Sequence, residues 1–96
     1  MKIYVIGSVT KNGKDIKKVA ETLESMGNEA RYVKKSPDTP LEVLIHNCFI
    51  HIESWADIVV VVPKSITNGV ADIGDGTLYE MEHARSFNKT VLIYER

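Results

Sequence analysis

A chain of 96 residues with 44% apolar and 26% charged side chains is long enough for one domain and near the lower end of what buries its own core. Twelve basic against thirteen acidic residues leave a formal charge of -1, which excludes the basic bias of a nucleic-acid or anionic-membrane binder. Cys48 stands alone, so no internal disulfide can form, and a reducing cytoplasm is the expected compartment.

The apolar run Lys2-Ile3-Tyr4-Val5-Ile6 is too short for a signal segment or a membrane span. Its β-branched and aromatic content, broken by Gly7-Ser8, predicts a first strand and its turn. Ile16, Val19, Ala20, Leu23 and Met26 recur at helical spacing, and Gly27-Asn28 is a C-terminal stop. Glu29 to Val33 predicts a short strand near a sheet edge, followed by a polar linker from Lys34 to Pro40. Thr39, Pro40 and Glu42 have the order of an N-cap, an N1 proline and a capping-box acid. Leu41, Leu44, Ile45, Cys48, Ile52 and Trp55 then form one apolar helical stripe. Ile58 to Val62 is continuously apolar and β-branched, as a central parallel strand covered on both faces requires. Pro63 to Gly76 reads as a long loop with three glycines, Thr77 to about Asn88 as a third helix, and Thr90 to Tyr94 as a last strand.

That βαβαβαβ order, with right-handed crossovers, predicts a single flavodoxin/Rossmann-like three-layer α/β domain. Its four-stranded parallel sheet would have the order 2-1-3-4. The exposed edge left by the last strand makes a homo-oligomer plausible. In such a sheet, ligands bind at the carboxyl ends of the strands where the chain reverses direction. The Gly7–Lys14 and Pro63–Gly76 segments would line that crevice. Gly7 permits close backbone approach, and Ser8, Thr10 and the free N–H groups of the first helix suit a phosphate or sugar hydroxyl, with Lys11 or Lys14 adding charge. A plain strand-to-helix turn with solvated lysines accounts for the same residues.

The segment Asp75-Gly76-Thr77-Leu78-Tyr79-Glu80 allows two interpretations. Thr77-x-x-Glu80 fits a capping box, in which the carboxylate only satisfies backbone N–H groups. Alternatively, an ionised Glu80 at the mouth of the crevice is a nucleophile able to attack an anomeric carbon as a base departs. Elsewhere, Cys48 on the apolar stripe reads as a buried structural cysteine, though His51 three residues on is within reach. His46 and His51, five residues apart, diverge around the helix and suggest no zinc site. His83 and the pairs Lys17-Lys18 and Lys34-Lys35 read as surface, and Trp55 as a core anchor. No cofactor is expected.

Asp75-x-Thr77-x-x-Glu80, with Gly76 inside it and Ala84 behind, resembles the signature of the nucleoside 2-deoxyribosyltransferases. Tyr4-Val5-Ile6-Gly7-Ser8 is similar to that family's first strand and Gly-small turn, Trp55 to Val62 to its third strand with the preceding helix end, and Ala84 to Leu92 to its final stretch. The Gly7-Ser8 turn and Phe87-Asn88-Lys89 also resemble the related deoxynucleoside 5′-monophosphate N-glycosidases. The resemblance implies one domain of this kind over residues 1–96. It makes Glu80 the nucleophile of a covalent deoxyribosyl intermediate and puts Asp75 against the sugar or base. Gly7, Ser8, Gly76 and Thr77 would line the substrate, and Tyr4 would orient the Glu80 carboxylate. The partner would be a small nucleoside or nucleotide rather than nucleic acid or membrane. Phe49 stands where family members usually carry an Asp that assists the leaving base, and Glu82 and His83 where they prefer Gly and an aromatic residue. Those departures define the alternative function, a catalytically inactive nucleotide- or nucleoside-binding module of the same fold. A phosphoacceptor module fits less well, because Gly7-Ser8 and Pro63-Lys64 occupy the places of its acidic residues.

Overall fold

A computed structural model describes residues 1–32 and 38–95, without the side chains of residues 9–12 and 41. The expectations for Val33, Lys34, Lys35 and Pro37 lie outside the described residues, as do those for the Thr10 and Lys11 side chains. The element order is β1 (Lys2–Gly7), α1 (Val9–Ser25), β2 (Glu29–Tyr32), α2 (Leu41–Ser54), β3 (Ile58–Val62), β4 (Ser65–Thr67), β5 (Val70–Asp72), α3 (Asp75–Ser86) and β6 (Thr90–Ile93). The main sheet has the order β2-β1-β3-β6 and is parallel throughout, which is the 2-1-3-4 arrangement expected from the sequence.

Alternation along the strands divides the core into two layers. Ile3 and Val5 of β1 and Val60 and Val62 of β3 pack against Ile16, Val19 and Ala20 of α1. Tyr4, Ile6, Val59 and Val61 face the other way and meet Cys48 and Ile52 of α2 and Met81 and Ala84 of α3. The unbroken Val run of β3 is explained by its position, because both faces are covered.

Several local details differ from expectation. Met26 is exposed at the C-cap of α1 rather than part of its apolar stripe. Beyond it, Gly27 at φ +92 donates to the Glu24 carbonyl and Asn28 to the Leu23 carbonyl, a Schellman closure. The capping box at Thr39 does not form. Pro40 is the N-cap and stays extended at ψ 146, while its own carbonyl accepts the first helical bonds from Val43 and Leu44. The expected Gly7–Lys14 loop shrinks to Ser8, because α1 already begins at Val9. The expected Pro63–Gly76 loop contains an antiparallel hairpin of β4 and β5, whose Asn68-Gly69 turn has φ of 52 and 78. Both positive angles suit the two-residue type I′ connection that Asn-Gly favours.

Candidate functional site

The third helix starts two residues earlier than the sequence suggests. Gly74 is its N-cap and Asp75 its first residue, so Thr77 is the third and Glu80 the sixth. A side chain one and a half turns into a helix cannot cap it, so Glu80 is not the acid of a capping box. Thr77, Glu80, Met81 and Ala84 are the buried residues of α3, spaced i, i+3, i+4 and i+7 along a single face. This face turns towards β1 and α2. Glu80 is only 7% exposed, an unusual place for a carboxylate.

Its surroundings come from two other elements. The Tyr4 hydroxyl, reaching from the middle of β1, donates to Cys48 Sγ on α2 at 3.3 Å. The Cys48 thiol and the Glu80 carboxyl are close enough for each to act on the other's acidity. Glu80 Oε2 is buried and has no hydrogen-bond partner. Tyr4, Cys48 and Glu80 therefore form a chain of side chains from sheet to helix to helix. The Tyr4 ring stacks on His51 at 5.2 Å, and His51 Nδ1 lies 2.8 Å from the Asn47 carbonyl to which it donates.

Burial sets the protonation of this chain. Desolvation pushes the Glu80 carboxyl up to about 7, against which the neighbouring Cys48 thiol acts in the opposite direction by favouring the ionised form. Desolvation also pushes the Cys48 thiol up to about 12, with the Glu80 charge adding to the rise. The Tyr4 phenol is raised for the same reason, with Cys48 next in importance. At neutral pH Glu80 is thus the one member of the chain that titrates.

The remaining candidates are more dispersed. Tyr4 is buried beneath Cys48, and its hydroxyl bonds the thiol rather than the carboxylate. Ser8 is the N-cap of α1 and half-buried, with no side-chain capping bond. Gly7 is buried, and a Cβ there would lie 2.8 Å from the Val62 carbonyl and 3.0 Å from Ile16 Cδ1, so packing alone requires its lack of a side chain. Asp75 is exposed on the outer face of α3, where it lines a cavity of about 320 Å³ with Leu78, Tyr79 and Glu82. Five residues from Glu80, it points about 140° around the helix from it. Gly76 is exposed with open space around its Cα, and Thr77 is buried at the start of the Glu80 face. The Lys64 side chain packs on Gly74, within 3.4 Å of where a Cβ would stand.

Beside the chain, α2 and α3 are joined by a second cluster. The Phe49 and His83 rings stack at 4.1 Å, Phe87 lies 4.9 Å from His83, and His83 Nε2 is 2.6 Å from Glu53 Oε1. His83 is therefore a half-buried interhelical contact rather than a surface residue. Cys48 is the site residue that sequence reasoning undervalued. Its place on the apolar stripe correctly signals burial, but only the tertiary fold brings Tyr4 and Glu80 to it. Among the described residues, no three His, Cys, Asp or Glu side chains gather as a metal-ligand group, and no helix is long and apolar enough to cross a membrane.

No protein-family model matches the sequence, and no curated protein is significantly similar to it. Among solved structures, the chain is similar to the CMP N-glycosidase BcmB of Clostridium botulinum. The TM-score is 0.66 at 17% identity, over 97% of this chain and 70% of that one. At that identity the likeness speaks to the fold.

Proposed function

We propose that this protein cleaves or transfers at the N-glycosidic bond of a deoxynucleoside or deoxynucleoside monophosphate, with Glu80 as nucleophile. The observation that carries the proposal is the buried Glu80 Oε2, which has no hydrogen-bond partner on a carboxylate that is only 7% exposed. An orphaned buried oxygen is costly to keep for stability alone. The resemblance of Asp75 to Glu80 to the deoxyribosyltransferase signature supports the same role, and the fold shared with a CMP N-glycosidase is compatible with it.

In this mechanism the ionised Glu80 attacks C1′ of the sugar while the C1′–N bond breaks and the base leaves with the bonding pair. The base takes up a proton as it departs. Water or a second base then attacks C1′ of the glycosyl ester and frees the carboxylate. Glu80 must be deprotonated to begin, so base release should rise with pH through about 7 and level off above it. Asp75 and Gly76 on the outer side of α3, and Ser8 at the end of β1, would contact sugar, base or phosphate once substrate is bound. The test is a panel of deoxynucleosides and their monophosphates, with and without a second base, assayed for free base by chromatography. Release from at least one member, lost in Glu80→Gln, is the expected result; no release from any member defeats the proposal.

One observation favours the alternative, a catalytically silent nucleotide- or nucleoside-binding module. Phe49, where the resembling family usually carries its leaving-group Asp, stacks on His83 and has no acid to offer a departing base. Such a module would show a nucleotide-dependent rise in Tm without turnover.

A further inference from the structure

The two edges of the main sheet are built differently. β2 exposes Glu29 and Arg31, charges of the kind that keep an edge from pairing with another chain. β6 pairs only with β3 among the described residues, in continuous register, and its Thr-Val-Leu-Ile sequence has no charge and no proline. Leu92 is 50% and Ile93 44% exposed there. The Tyr94 N–H donates to the Val61 carbonyl on β3. Backbone groups alternate in direction along a strand, so Thr90, Leu92 and Tyr94 turn theirs towards β3, while Val91 and Ile93 turn theirs outward. We propose that β6 is the seam of a homodimer: a second copy of this chain adds its own β6 antiparallel to this edge, with Leu92 facing Leu92 across the two-fold axis.

Geometry and charge both select this register. Only outward-facing residues can exchange backbone bonds, so odd-numbered residues of one copy must oppose odd-numbered residues of the other. A two-fold axis at Val91, Leu92 or Ile93 meets that condition. With the axis at Leu92, Val91 exchanges bonds with Ile93 of the second copy, Thr90 lies opposite Tyr94, and Lys89 lies opposite Glu95. Val91 packs with the α2/α3 layer and Tyr94 with the α1 layer, so the Val91–Ile93 and Lys89–Glu95 pairs share the first face and Leu92–Leu92 and Thr90–Tyr94 the second. Among the described residues neither Lys89 nor Glu95 has an ion-pair partner within the chain, and symmetry would join them twice. An axis at Val91 sets Lys89 against Ile93, and one at Ile93 sets Glu95 against Val91. Each slip leaves a charge facing an apolar side chain. The Lys89 N–H already donates to the Ala84 carbonyl, so at the ends of the seam the charged side chains make the contact. The same two-fold axis keeps the helix layers of the two copies on matching sides, and the two sheets become one.

Sedimentation and amide exchange test the seam in the 96-residue protein. A dimer that dissociates on dilution is expected, with the Val91 and Ile93 amides protected in the dimer and exchanging rapidly in the monomer. Leu92→Lys, at a half-exposed position, places two like charges opposite one another and should give a folded monomer by circular dichroism. Lys89→Glu or Glu95→Lys alone should weaken the dimer roughly tenfold at low salt, because symmetry makes two pairs repulsive at once. Combining the two reversals restores opposite charges and should restore the native dimer. A chain that stays monomeric at every concentration overturns the proposal, whatever else binds that edge. So does a dimer that survives Leu92→Lys, or one whose Val91 and Ile93 amides exchange as fast as in the monomer. A double reversal no tighter than the single ones overturns the pairing about Leu92.

Discussion

Glu80 links stability and chemistry in opposite senses. The folded protein keeps the Glu80 proton up to about pH 7, while the unfolded chain releases it in the ordinary carboxylate range. The folded state therefore binds more protons across that window, and the stability tied to the protonated form is lost as pH rises through about 7. The difference is on the order of 3 kcal/mol for a group this deeply buried. Glu80→Gln, which cannot ionise, should match the native protein at pH 4 and melt on the order of 10 °C higher at pH 8. Thermal denaturation of both proteins across pH 4–9 measures this, and parallel curves would mean that Glu80 is solvated in the folded state. Cys48 makes a companion prediction. A buried thiol with its acidity suppressed should resist iodoacetamide at pH 8 in native buffer and react fully in denaturant. Labelling at the rate of a free thiol would place Cys48 in solvent.

At the scale of elements, what could be read from the sequence was what has a period. The stripe Leu44, Ile45, Cys48 and Ile52 and the unbroken Ile58–Val62 run located α2 and β3, because one face of a helix and a doubly covered strand leave distinct patterns. Helix starts were less legible, since several polar residues in a row can each serve as a cap. Thr77 and Thr39 looked the part, yet Gly74 and Pro40 hold the N-cap positions. For α3 that three-residue offset of the N-cap carries Glu80 from a capping role onto the buried face. The hairpin had a local signal in Asn68-Gly69, which its glycine-rich, largely exposed surroundings obscured. These backbone positions are testable. Gly69 has φ +78 and Asn88, which closes α3 at C′, has φ 58. Asn88→Val should cost about 1–2 kcal/mol, because a β-branched side chain is strained there, whereas Asn88→Gly should be neutral or slightly stabilising. Urea midpoints for the two variants distinguish conformational strain from loss of the Asn side chain; equal losses would implicate the side chain instead.

Across the whole molecule, the sheet keeps two kinds of packing apart. The α1 face is wholly apolar among its buried members, while the α2/α3 face contains the Tyr4–Cys48–Glu80 chain. The sequence revealed the sheet order through alternation of elements, but a contact joining residues 4, 48 and 80 depends on three elements docking and leaves no local pattern. This division gives Gly7 a diagnostic value. Gly7 follows Ile3 and Val5 on the α1 face, where an added methyl would meet the Val62 carbonyl at 2.8 Å and Ile16 Cδ1 at 3.0 Å. The carbonyl belongs to the central strand and cannot yield as the end of a flexible side chain would. Gly7→Ala should therefore destabilise by about 1–3 kcal/mol, the usual range for overpacking, and lower the urea midpoint with an unchanged m value. Because the disturbance begins on the face opposite Glu80, the Glu80 midpoint should stay near 7 while stability falls. A Gly7→Ala protein with native stability would mean that β1 and β3 can separate there. A lowered stability accompanied by a shifted Glu80 midpoint would mean that the two layers are coupled through the sheet.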